Sequence, residues 1–165
     1  MYSRQQFRLP CGSYYHLEVN EKNNISFSDP SYILPHPELN DGLCLRLRNA
    51  VSLPRHVQAH SDAVTELACC LCNMLESNGY IFDQKLVRSG ALLHDIARLQ
   101  RHHAKTGGEL FLQLGYPEIS QIISQHHGLL EATLDEAAIV FLADKLIQET
   151  QRVTCLLYTS DAADE

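Results

Sequence analysis

From Leu53 onward the chain takes on a three-to-four-residue rhythm. Val57, His60, Val64, Leu67, Leu71 and Met74-Leu75 fall on one stripe, which predicts an amphipathic helix. Pro54 suits its first turn. Gly79, after Ser77-Asn78, suits a left-handed cap at its end. A second helix is expected from the N-capping Asp83 through Leu86, Val87, Leu93 and Ala97 to about Leu99. A polar loop, residues 100–105, follows. A third helix is expected over about 106–114, stopped by Gly115. A fourth opens at Pro117, runs from 118 to about 126 and closes at Gly128. Thr133-Leu134-Asp135-Glu136 has capping-box spacing and should open a fifth, reaching about Arg152. The expectation is an all-α bundle of about five helices over residues 51–153.

Residues 1–50 lack this rhythm and hold four of the six prolines, at 10, 30, 35 and 37. They are expected to form an irregular arm, or the remnant of a preceding domain, with SYYHLEV as one short strand by alternation. The last stretch, CLLYTSDAADE, resembles translated sequencing-adapter read-through. Residues 154–165 are therefore expected to be an artefactual or disordered tail and are given no part in function.

The net charge is −7, and Asp161, Asp164 and Glu165 supply three of those negatives. That balance argues against a nucleic-acid partner, which requires a basic face. No apolar run approaches a membrane span, and the N-terminus lacks the apolar stretch of a signal peptide; a cytoplasmic protein is expected. Cys11, Cys44, Cys69, Cys70, Cys72 and Cys155 are scattered, with no second CxxC to complete a zinc site. They are expected to pack as small reduced apolar residues.

Nine histidines then change the picture. His60 lies on the apolar stripe of the first helix. His94-Asp95 interrupts ALLHDIAR in the second, and Asp144 interrupts VFLADKLI in the fifth. Burying such groups apart costs several kcal/mol each, of order 2–7. Gathering them around one divalent cation satisfies them all, because neutral imidazole and carboxylate are good ligands for Fe, Mn or Zn. Neighbours on a helix diverge by about 100°, so His94 and Asp95 share a metal only from a helix edge. His103, in the expected loop, and His126-His127, at the end of the fourth helix, look like a further ligand set.

In order and context these residues resemble a known family. His60-Ser61-Asp62-Ala63-Val64, His94-Asp95 and Ala143-Asp144-Lys145-Leu146 are similar to the H…HD…D signature of the HD-domain metal-dependent phosphohydrolase superfamily. The resemblance spans roughly Leu53 to Val153. The segment HHAKTGGELFLQLGYPEI resembles a branch often joined to a nucleotidyltransferase domain of the molybdenum-cofactor cytidylyltransferase type. The resemblance implies an HD-like helical bundle. It also implies a first metal on His60, His94, Asp95 and Asp144, and a second on His103 and His126, with Asp95 bridging and His127 less certain. Where the family usually places Lys after the HD pair, this chain has Arg98, which keeps the charge and adds a fork for phosphate. His56 is expected to be a surface or pocket-lining residue; Lys105 is expected to be solvated on the surface and Lys145 to be ion-paired, with phosphate contact as the secondary reading of both. The implied activity is hydrolysis, by metal-activated water, of a small phosphorylated and nucleotide-like substrate, whether phosphomonoester, phosphodiester or nucleotide, with Asp95 and Arg98 as the catalytic residues. The rivals are a regulatory metal- or nucleotide-binding module beside an associated nucleotidyltransferase domain, and a metal-dependent oxygenase on the same scaffold.

Overall fold

The computed structural model describes residues 38–152, together with the backbone of residues 3–8, 14–19 and 25–28. Cys11, Cys155 and the tail from 154 lie outside the described residues. Three strands, β1 (Ser3–Arg8), β2 (Tyr14–Val19) and β3 (Ile25–Ser28), pair antiparallel in the order β1-β2-β3. Strand β2 is the expected SYYHLEV strand. Of the other two, β1 carries no such alternation, and β3, Ile-Ser-Phe-Ser, alternates over only four residues.

Six helices follow among the described residues: α1 (Asp41–Ala50), α2 (Arg55–Glu76), α3 (Gln84–Leu93), α4 (His103–Gln113), α5 (Pro117–Gln125) and α6 (Glu136–Leu146). A short hairpin, β4 (Ile147–Gln148) with β5 (Gln151–Arg152), ends the described chain. The all-α bundle stands.

Helix α1 occupies a stretch expected to be irregular. Leu43, Leu45 and Leu47 fit a period of two as well as a helix, which hid it. The Asn40 side chain caps it by accepting from the Leu43 N–H. Arg88 of α3 holds it with two short bonds to Asp41, at 2.7 and 2.8 Å. Buried Arg48 ties it to α2, donating to Asp62 at 2.7 Å and to the Gln58 carbonyl at 2.8 Å.

Two apolar clusters fill the interior. One joins α1, α4 and parts of α3 and α5 around Leu43, Leu93, Phe111 and Ile123. The other joins α2, α3, Ile122 of α5 and α6 around Val64, Val87, Ile139 and Val140. Cys44 and Cys72 are buried among them as free thiols. Burial pushes their pKa values up to about 12 and about 11, as packing residues require.

Several boundaries differ from expectation. Helix α3 stops at Leu93, so His94-Asp95 ends a helix rather than interrupting one. Tight i→i+3 bonds carry the chain on, from Ile96 N–H to Leu93 and from Arg98 N–H to Asp95. Helix α4 starts at His103, not near Thr106, so this histidine opens a helix rather than lying in a loop. Gly107-Gly108 mimics a break there. Helix α6 is capped by Asp135, which accepts from Ala138 N–H at 2.8 Å. Thr133 opens no capping box; Glu136 instead accepts from the Asp83 N–H at 2.9 Å. The helix also ends early, where Ile147 turns extended.

Candidate metal centre

The helix ends meet in one place. His94 and His126 are the C-cap residues of α3 and α5. Each folds back on its own last turn: Nδ1 lies 2.7 Å from the Ala91 carbonyl for His94 and 2.6 Å from the Ile123 carbonyl for His126. His60 makes the same kind of bond, with Nδ1 2.8 Å from the Glu149 carbonyl. A carbonyl only accepts, so Nδ1 carries the hydrogen in all three rings. Neutral His94 and His126 therefore turn a bare Nε2 lone pair inward, whereas His60 also bonds the Asp144 carboxylate through Nε2 at 3.0 Å and frees that atom for a metal on losing a proton. A carbonyl bond at the distal nitrogen orients a metal-ligating histidine.

Asp95 follows His94 at the same corner. It is 4% exposed, and His94 is fully buried. Its Oδ1 has His103 Nε2 at 3.2 Å, His126 Nε2 at 3.6 Å and Arg98 at 3.6 Å. None of these is in hydrogen-bonding geometry, and both Asp95 Oδ1 and His94 Nε2 are buried without a partner. Asp144, one residue after the buried Ala143, lies 3.0 Å from His60 Nε2 and 3.6 Å from His94 Nε2.

His103 is set by the residue before it. His102 adopts a left-handed conformation, φ 55° and ψ 44°, and no side chain caps the helix. Histidine is among the residues that tolerate this region. His103 Nε2 then lies 2.8 Å from His127 Nε2 and 3.3 Å from His126 Nε2.

Two ligand groups result. His60, His94 and Asp95 converge in one; His103, His126 and His127 converge in the other. Asp144 adjoins the first and Asp95 faces both. The structure thus brings together every residue singled out as a ligand. It also draws in His127, which the sequence left uncertain although the His126-His127 pair pointed to it. The Glu149 carbonyl had no sequence signal, being backbone. Glu149 itself is left-handed, φ 56°, at the turn of the β4–β5 hairpin.

The electrostatics suit a cation. Burial alone would raise the Asp95 pKa, but the imidazoles of His103 and His126 against it, with His94 and the Arg98 guanidinium close by, outweigh it and hold the carboxyl ionised. Asp144 likewise resists burial through His60, His94 and Lys145 and stays far below the usual carboxylate range. Burial and the neighbouring His126 and His103 push His127 down to about 4, which leaves it neutral at physiological pH. Asp144 raises His60.

A cavity of about 730 Å³ opens onto this cluster. His56, Val57, Ala59, Arg98, Glu149 and Thr150 line it beside the ligand groups. Lys145 is held against Asp144 at 3.2 Å and over the Phe141 ring at 5.5 Å. Lys105 pairs with Glu109 on the outer face of α4 at 3.8 Å. Neither lines the cavity. Among the described residues no helix is long and apolar enough to cross a membrane.

The chain is similar to known proteins over the region that carries this site. Residues 57–148 match the model of the HD domain. The chain is similar to an uncharacterised protein of Methanocaldococcus jannaschii, 37% identical over 128 residues, which cover 65% of this chain and 74% of that protein. It is similar to ribonuclease Y of Fervidobacterium nodosum, 35% identical over 117 residues, and of Campylobacter curvus, 34% identical over 117 residues. Each match covers 67% of this chain but only 22% of the ribonuclease. No solved structure gives a significant match.

Proposed function

The chain belongs to the HD-domain family, and from that premise we propose that it is a metal-dependent phosphohydrolase acting on a small, nucleotide-like phosphate ester. One observation carries the reading: two buried acceptors, His94 Nε2 and Asp95 Oδ1, lack a hydrogen-bond partner, and Asp95 lines the cavity. An unmet buried acceptor costs roughly 1–3 kcal/mol. A cation removes that cost twice over, so the residues present fit a divalent metal.

His60, His94, Asp95 and Asp144 would hold one ion, and His103, His126 and His127 a second, with Asp95 between them. Iron or manganese suits this mixture of imidazole and carboxylate. A divalent ion there supplies a nucleophile near neutral pH, by acidifying coordinated water, and offsets phosphoryl charge. The chain's own groups do the rest. The carbonyls of Ala91, Ile123 and Glu149 fix the ring orientations before substrate arrives. Arg98, nearly half exposed and 3.3 Å from His103 Nε2, takes phosphoryl oxygens in its fork. The cavity volume falls in the range for small-molecule sites, about 300–1,000 Å³.

The names of the ribonuclease Y relatives point to RNA, so the assay must include it. The purified chain, loaded with manganese or iron, is offered nitrophenyl mono- and diesters, mononucleotides and a short oligoribonucleotide. Chelator-sensitive cleavage of a small ester, with the oligomer poorer, is the expected result. A folded, metal-loaded chain that cleaves nothing would instead support a regulatory binding module. That reading draws on the module-sized share the chain matches in the ribonucleases.

A further inference from the structure

His56 lines the cavity one helical turn before His60. Residues four apart on a helix are surface neighbours, about 5–6 Å between their β-carbons. His56 thus stands at the mouth of the site on the same face as a candidate ligand. It differs from every other imidazole there. His60, His94 and His126 are fastened through Nδ1 to backbone carbonyls, and His103 and His127 are turned on one another. Exposed His56 has no hydrogen-bond, ion-pair or ring partner among the described residues.

Phosphate ester hydrolysis needs a proton at the departing oxygen unless the leaving group is already a stable anion. The ligand groups cannot give it while their inward lone pairs are committed to a cation. Of the remaining polar lining, Arg98 does not release a proton in a protein, Glu149 carries an exposed, acceptor-only carboxylate, and the Thr150 hydroxyl is too weak an acid. Imidazole is the side chain that holds and releases a proton near neutral pH.

We propose that His56 is the general acid of this site, protonating the leaving-group oxygen; the proposal rests on the hydrolase reading above. Water adds to phosphorus and the bond from phosphorus to the leaving oxygen breaks. The imidazolium proton of His56 passes to that oxygen. The proton lost by water goes to solvent, and solvent reprotonates the imidazole. No redox change occurs, and the products are an alcohol and a phosphate.

The test compares two esters of the same phosphate, one p-nitrophenyl and one methyl, on wild type, His56→Gln and the control Arg55→Ala. Nitrophenolate leaves without help; methoxide does not. General acid catalysis contributes about 10²–10⁴-fold. His56→Gln is expected to lose at least about 100-fold on the methyl ester while keeping most of its nitrophenyl rate and all of its metal by elemental analysis. Arg55→Ala should match wild type on both esters. In the zinc-loaded protein, inorganic phosphate should also shift the His56 ring resonances in an NMR spectrum. Equal losses on both esters, no loss on either, loss of metal, or unmoved resonances would each overturn the assignment. A metal-loaded wild type that cleaves neither ester overturns the hydrolase reading itself, and this proposal with it.

Discussion

His60 sits between a proton and a metal. Its Nδ1 is committed to the Glu149 carbonyl, so its Nε2, 3.0 Å from Asp144, bonds that carboxylate only when protonated. Metal-free, Asp144 lifts the His60 pKa above its ordinary 6.5, and the pair holds Asp144 below its ordinary 3.8. The raised histidine contributes stability that is complete below about pH 6.5 and is lost as pH rises through its elevated value. The lowered aspartate contributes above about pH 4, and that part is lost as pH falls through its depressed value. Metal-free protein should therefore be most thermostable between about pH 4 and 6.5 in its response to this pair. His60→Gln should remove the decline on the alkaline side; an unchanged melting profile in the variant would contradict the pairing. Loading metal should expel the His60 proton. Calorimetric enthalpies of metal binding near pH 6.5 should then vary with the buffer's ionisation enthalpy, and buffer-independent heats would count against the exchange. Arg98 makes a different prediction. Hydrogen bonds to charged groups are worth about 1.5–3 kcal/mol, so Arg98→Ala should keep its metal and lose about ten- to a hundredfold in turnover. Unchanged kinetics would remove Arg98 from the reaction. These residues were legible in the sequence because each breaks an apolar stretch. What aims them was not, because the anchors are carbonyls of Ala91, Ile123 and Glu149, which any residue supplies.

Helix α5 reaches the site because glycines receive it. A Cβ on Gly90 of α3 would lie 2.8 Å from Ile122, and one on Gly107 of α4 2.8 Å from Ile123. One on Gly108 would lie 2.9 Å from the Ser124 side chain and 3.1 Å from the Ser120 carbonyl. Mid-helix glycine costs about 0.8–1 kcal/mol in helix propensity; here it lets α4 and α5 approach closely enough for His103 to meet His126 and His127. Gly108→Val should cost about 1–3 kcal/mol through overpacking. It should also loosen the His103 group more than the His60 group, halving the metal content. A variant that keeps full metal and stability would show that the close approach is not needed. The same glycines misled the boundary of α4, since a Gly pair without a capping residue reads as loop. Helix α3 was read too long because Ile96 and Ala97 continue its apolar rhythm although their turns are tighter. In both cases tertiary contact decided what propensity alone did not.

Across the whole molecule, the two apolar clusters share α3 and α5, and the site lies where these helices end against α2, α4 and α6. The order of helices α2 to α6 was readable from residue spacing, and the family from the resemblance of its H…HD…D motifs. Helix α1 was not, because its leucines fit strand and helix alike, and its attachment depends on Arg48 and Arg88 finding partners on other elements. The central claim is that seven side chains from five elements form one divalent-metal centre. It is tested most directly by elemental analysis of the folded chain, purified without chelator or oxygen. The account predicts about two equivalents of iron or manganese per chain, falling to none in Asp95→Ala because that carboxylate faces both groups. A folded wild-type chain without metal, or an Asp95→Ala variant with its full complement, would contradict it.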